Sequence, residues 1–315
     1  MKRLSSRSSV YTPISTLNTN LLHRLNKNDT SLVRIIFSSR NLGSQGVNIL
    51  TQSLLSNTNL RELDLSSNSI GLEGVHYVTS LLRHQATSNN NMIANSNISD
   101  EKWGITTLKL CDNSLYDIGT KEIANALEND DILLSDLWLD DNFVGATALA
   151  HLANALRRNS KLRRLHLRHN SFQSLSPLIR CTFDKRTLDT VAESNHTLHH
   201  VFLNCGYDYE CRELESMLKI NRIYGKVEAR RKKVALFLDE DLGRLLRMDM
   251  NVMDAKLLPR LLGILAQHGS VSTLFGVVQH LPSNVLAYQG IDERNSSLHD
   301  SMDVGVPMDV EYVSF

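Results

Sequence analysis

One nine-residue phrase recurs along this 315-residue chain: Leu-x-x-Leu-x-Leu-x-x-Asn, in four clear copies, Leu60–Asn68, Ile105–Asn113, Leu134–Asn142 and Leu162–Asn170. A weaker copy runs from Leu32 with Arg40 in the asparagine place, and a sixth, Leu198-x-x-Val201-x-Leu203, starts in register and then breaks down. Successive starts lie 28, 45, 29, 28 and 36 residues apart, so the unit is 28 residues with insertions. A fixed period in this range excludes an ordinary globular topology. Each unit is one supersecondary element that buries its apolar face only by stacking on its neighbours, which makes a solenoid.

Within the phrase, apolar residues alternate as on a short strand. Leu63 and Leu65, Leu108 and Leu110, Leu137 and Leu139, and Leu165 and Leu167 are predicted to point inward. The asparagine that follows reads as a core amide, since a buried amide is costly unless it bonds backbone groups. The second half of each unit is helical by period: Val75, Val78, Leu81, Leu82; Ile123, Ala124, Ala126, Leu127; Leu149, Leu152, Ala153, Ala155, Leu156. Asn129 and Asn159 close two of these helices in the manner of C-terminal caps.

A strand plus a full helix in 28 residues, written Leu-x-x-Leu-x-Leu-x-x-Asn-x-Ile/Leu/Val-Gly-x-x-Gly/Ala, resembles the ribonuclease-inhibitor-like class of leucine-rich repeat proteins. The resemblance covers residues 32–205 and departs at Arg40, at the long third spacing and beyond Asn170, where Pro177 and polar residues replace a standard helix. It implies an α/β fold: a leucine-rich repeat solenoid shaped as a horseshoe, with a parallel concave sheet and convex helices. It also implies protein binding as the usual role, although one branch of the family activates small GTPases.

Around the repeats the chain divides as follows: a disordered head over 1–13, an N-terminal capping helix over 14–31 built on Leu17, Leu21, Leu22 and Leu25, about six repeats over 32–205, a helical C-terminal extension over 206–289, and a disordered tail over 290–315. The Asn- and Ser-rich stretch 85–100 accounts for the 45-residue spacing and reads as a disordered loop. The extension covers the open end of the solenoid, as repeat arrays require. Its run Lys226–Lys233 reads as a solvated helix face.

Lys+Arg and Asp+Glu are equal at 34 each, so no global charge recruits nucleic acid or an anionic membrane. Four cysteines, Cys111, Cys181, Cys205 and Cys211, form no CxxC pair and read as reduced thiols of a cytoplasmic protein. The alternatives are a nuclear location, from the basic run, or an organellar one, if the acid-free residues 1–28 are a transit peptide. Histidines at 166, 169, 196, 199 and 200 invite a metal, but His199 and His200 point to opposite faces of a strand and no ligand set has a recognised spacing. No catalytic motif is present. The chain therefore reads as a non-enzyme with no cofactor and no small-molecule substrate.

The residues the phrase leaves free line the concave face. The position between the stacked leucines gives the ladder Ile36, Asp64, Lys109, Trp138, His166, Phe202. Acids Asp136, Asp140 and Asp141 adjoin Trp138, and the next repeat brings Arg163, Arg164, Arg168 and His169. A partner protein is expected on Trp138, Asp140, Arg164, His166, Arg168 and Phe202, because aromatics and arginine anchor interfaces. The competing account is that these charges only satisfy each other. A regulator of a small GTPase is the alternative function.

Overall fold

A computed structural model describes residues 17–95, 102–204 and 209–246. The head over 1–13, the end of the extension beyond residue 246, the tail over 290–315 and Cys205 lie outside the described residues. A helix α1 (Thr19–Asn26) comes first among the described residues. Five strand–helix units follow: β1 (Arg34–Ile36) with α2 (Gly43–Leu54), β2 (Glu62–Asp64) with α3 (Gly71–Asn95), β3 (Thr107–Lys109) with α4 (Tyr116–Leu127), β4 (Asp136–Trp138) with α5 (Ala146–Arg158), and β5 (Arg164–His166) with two short helices, α6 (Ser176–Thr182) and α7 (Leu188–Ala192). Strand β6 (His200–Phe202) and α8 (Tyr209–Leu246) complete the order. The six strands form one parallel sheet in sequence order.

Register is unbroken across the sheet: Ile35, Leu63, Leu108, Leu137, Leu165 and Val201 pair in a row. That row as far as Leu165 and the next, Leu65, Leu110, Leu139 and Leu167, are buried, Val201 is partly buried, and all the helical positions named above are buried. Each such leucine, isoleucine or valine contributes roughly 1.5–3 kcal/mol by leaving water, and each alanine less. Helices must approach the strands closely where the chain turns. At Gly74 an added Cβ would stand 2.6 Å from the Ile70 Cβ, so this turn has no room for a side chain.

The asparagines bond the preceding repeat. Asn113 Oδ1 accepts from the amides of Asn68 (3.0 Å) and Ile70 (3.3 Å), while its Nδ2 donates to the Leu65 carbonyl (3.0 Å). Asn68, Asn142 and Asn170 repeat the arrangement against Arg40 and Leu42, Asn113 and Leu115, and Asn142 and Val144. This accounts for Arg40: β1 is the edge strand of the sheet, and among the described residues no repeat precedes it for an amide at that place to bond.

A second asparagine row runs along the helix-to-strand turns. Asn57, Asn159 and Asn195 each donate to a carbonyl of the previous unit and accept from the amide that opens the next strand. In the repeat with the insertion, Gln85 Oε1 takes that role for the Ile105 amide (3.2 Å), and Asn89 bonds both the amide and the carbonyl of Trp103. The expected loop over 85–100 is therefore helical as far as Asn95, because α3 runs on and its amides anchor the returning chain.

The end of the solenoid is closed by α8, which packs on α6, α7 and β6 and is broken at Gly225 (φ 68°). Asn221 continues the second row by donating to the Leu198 carbonyl (2.8 Å). Lys233 is fully buried, against the expectation of a solvated face. Its Nζ donates to the carbonyls of Thr182 (2.7 Å) and Asn195 (2.9 Å). Cys111 and Cys181 are free thiols, whereas Cys211 is disulfide-bonded, which departs from the expectation of reduced cysteines. No helix among the described residues is long and apolar enough to cross a membrane.

Two outcomes follow from these bonds. Asn142→Ala strands the buried amides of Asn113 and Leu115 and should cost about 2–4 kcal/mol in urea unfolding. Burial pushes the Lys233 ammonium down to about 7, from a lysine's ordinary 10.5, and pushes the neighbouring His196 to about 3, from 6.5. The folded state thus holds fewer protons than the unfolded chain between pH 3 and 10.5. Stability should fall as pH drops from 10.5 to 7 through Lys233, and again from 6.5 to 3 through His196. Lys233→Met should flatten the upper window in thermal melts and narrow the lower one without removing it, since burial alone still depresses His196.

Candidate functional site on the concave sheet

Parallel pairing puts Lys109, Trp138, His166 and Phe202 side by side on β3 to β6, about 4.8 Å apart as strands must be. Flat rings at that spacing can close to van der Waals contact by tilting together. The Trp138 and His166 rings stack with centroids 3.8 Å apart and planes 14° off parallel, and His166 and Phe202 stack at 4.0 Å and 16°. Cations flank both ends: Lys109 Nζ lies 5.0 Å from the Trp138 ring, and the Arg168 guanidinium 5.5 Å from the Phe202 ring. His166, expected on the open face, is only 6 % exposed because a ring covers each of its faces. Trp138 is half-buried, by Lys109 and His166.

A second row, two residues earlier on each strand, fixes the stack electrostatically. Asp136 is buried. It accepts from Trp138 Nε1 (3.0 Å) through Oδ1 and from Arg164 Nε (2.9 Å) and Nη2 (2.8 Å) through Oδ2. His166 Nε2 stands 3.5 Å from Asp136 Oδ1, near enough to favour the anion but not as a formed hydrogen bond, and both its ring nitrogens are buried without one. Burial opposes ionisation of Asp136, yet the contacts with His166 and Arg164 outweigh it and hold the carboxyl below the ordinary range. On the other flank Glu62 bonds Lys109 Nζ (2.7 Å) and pairs with Arg34, and it too is held low, chiefly by Lys109.

The structure thus brings Trp138, Arg164, His166, Arg168 and Phe202 together on one surface. Asp140 is beside them but engaged. Its Oδ1 accepts from the Arg168 amide (2.6 Å) and orients that turn. Asp141 pairs with His169 (3.3 Å) and Asp136 with Arg164, so part of the charge alternation is internal neutralisation. Arg168 is exposed and meets no carboxylate side chain among the described residues. Sequence reasoning did not single out Tyr116 and Phe143. These exposed rings stack at 5.2 Å on the strand-exit rim, each in left-handed backbone (φ 52° and 58°). The signal was an aromatic where neighbouring repeats place glycine, serine or asparagine.

A leucine-rich repeat family model matches residues 56–77. Ribonuclease inhibitor from Mus musculus is 32 % identical over 113 residues, which is 36 % of this chain and 23 % of the inhibitor. The chain is thus similar to leucine-rich repeat proteins of the ribonuclease-inhibitor-like class. The matched stretch spans about a quarter of that relative's length. Among solved structures, the leiomodin-1 actin-binding site 2 aligns with 71 % of this chain and 96 % of its own at 14 % identity and a TM-score of 0.37. The tropomodulin C-terminal domain of Caenorhabditis elegans aligns with 71 % and 97 % at 13 % identity and 0.38. Leucine-rich repeats of this class are generally non-catalytic and bind proteins.

Proposed function

We propose that this chain is a non-catalytic scaffold that binds a partner protein on the concave sheet, centred on the row Trp138, His166, Phe202. The observation that supports this most is the stack itself. Three rings are already ordered by mutual contact, by Asp136 and by two flanking cations, so a partner need not immobilise them and loses little rotamer entropy. Trp138 and Phe202 offer ring edges to apolar side chains. Arg164 and Arg168 offer donors at the border, and His166 is the spacer that keeps the outer rings in line. Asp140 acts through Arg168, whose turn it positions. An open curved sheet gives side chains in rows but no water-excluding chamber, which suits association rather than chemistry.

The test compares proteins captured by the full chain with those captured by Trp138→Ala, Phe202→Ala and Ile36→Ser, the last being an exposed apolar control on β1. Partners should persist with Ile36→Ser and weaken at least about tenfold, or roughly 1.4 kcal/mol, with either ring removed. Equal capture by all four chains would exclude the concave row.

A further inference from the structure

Two bulky rings stand where the other repeats keep the side chain small. Tyr116 takes the place of Gly43 and Gly71, and Phe143 that of Asn41, Ser69 and Ser114, and all seven have left-handed backbone (φ 51–59°). For a bulky residue that conformation is an outlier, and glycine escapes its steric penalty altogether. Packing does not call for a ring there. A Cβ added at Gly43 or Gly71 would meet nothing within 4 Å, so the place opens to solvent. The two rings stack on each other at 5.2 Å, yet they stay 55 % and 54 % exposed. Strain kept without an internal gain points to a use outside the molecule.

The rings belong to a wider apolar surface on the strand-exit rim. Tyr116 opens α4, whose first turn carries Ile118. Ile118 (67 % exposed) and Leu72 (47 %) line one groove of about 550 Å³ between α3 and α4, with Tyr77 in its wall. Exposed apolar side chains gathered in one patch mark an interaction surface. The charge around them is negative. Glu73 lines the groove, Asp117 follows Tyr116, and Asp112 is exposed in the turn before it. Glu73 accepts from Ser44 Oγ (3.0 Å) and Asp117 from the Gly145 amide (2.6 Å), which hold both carboxylates in place without neutralising them. No cation stands within ion-pair distance of these three among the described residues. Glu122 is matched by Arg83 (2.9 Å) with His76 at 3.8 Å, and Asp141 by His169 (3.3 Å), which leaves Lys121 as the cation in the groove wall.

We propose that this rim is a second docking surface, for an arginine-bearing segment of a partner protein. The guanidinium lies against the exposed rings of Tyr116 and Phe143 and donates toward Asp112 and Asp117, while a neighbouring aliphatic side chain enters the groove between Leu72 and Ile118. A flat guanidinium stacks on a ring and still donates in its own plane to carboxylates, which an ammonium cannot do. The rim asks nothing of the concave row and stands apart from that reading.

Panning a phage-displayed random dodecapeptide library on the full chain tests it, followed by fluorescence anisotropy of the selected peptides with Tyr116→Gly and Phe143→Ser. Those substitutions install what other repeats carry at the same places, so the melting temperature should hold or rise and a loss of binding reports on the rings alone. Expected are peptides that join arginine to an aliphatic residue. Either substitution should weaken them at least about tenfold, Asp112→Asn and lysine in place of the peptide arginine several-fold, and Trp138→Ala not at all. Selected peptides without arginine, or ones indifferent to both ring substitutions, would overturn the proposal, as would a library yielding no peptide that depends on these rings. A melting temperature lowered by several degrees in either variant would make the pair a structural element. A dimer abolished by both substitutions would make a second copy the occupant, and each of these results overturns it as well.

Discussion

The buried side-chain amide at the end of each strand is the contact on which the rest of this molecule depends. A 28-residue unit must turn from strand to helix inside the core, where its backbone groups cannot reach water. Asn68, Asn113, Asn142 and Asn170 satisfy those groups from the next repeat along, so each turn is completed by its neighbour. No unit is finished alone. The bonds also lock the strand register, and the register puts four free positions on β3 to β6 into one row. The surface proposed for binding is therefore a by-product of how the backbone is satisfied.

That dependence explains what the sequence discloses and what it withholds. The inward leucines and the helical stripes were legible because periods of two and of about 3.6 residues leave one apolar face each. The ladder Lys109, Trp138, His166, Phe202 was legible for the same reason. Its stacking was not, because ring tilt depends on side-chain torsions and on Asp136, which no period encodes. His166 was therefore read as open when two rings cover it.

Three other departures share a cause: local composition was read without the groups across the gap. The asparagine-rich stretch after residue 85 looks like a loop until Ile105 and Trp103 are seen to need partners, which Gln85 and Asn89 supply. Lys233 sits in a basic run and reads as solvated, yet two carbonyls at the end of the solenoid require donors and its chain is long enough to deliver them. Arg40 looks like a degraded repeat and simply belongs to the repeat of the edge strand.

The account stands on a concave row that is ordered before any partner arrives. The proton chemical shifts of the His166 ring in the free protein test this most directly, since a ring held between two aromatic faces lies in the shielding cones of both. The predicted result is His166 carbon-bound ring protons shifted well upfield, with Trp138→Ala removing much of the shift. Resonances at the positions of an unstructured histidine, unchanged by Trp138→Ala, would contradict a preformed stack and the binding surface built on it.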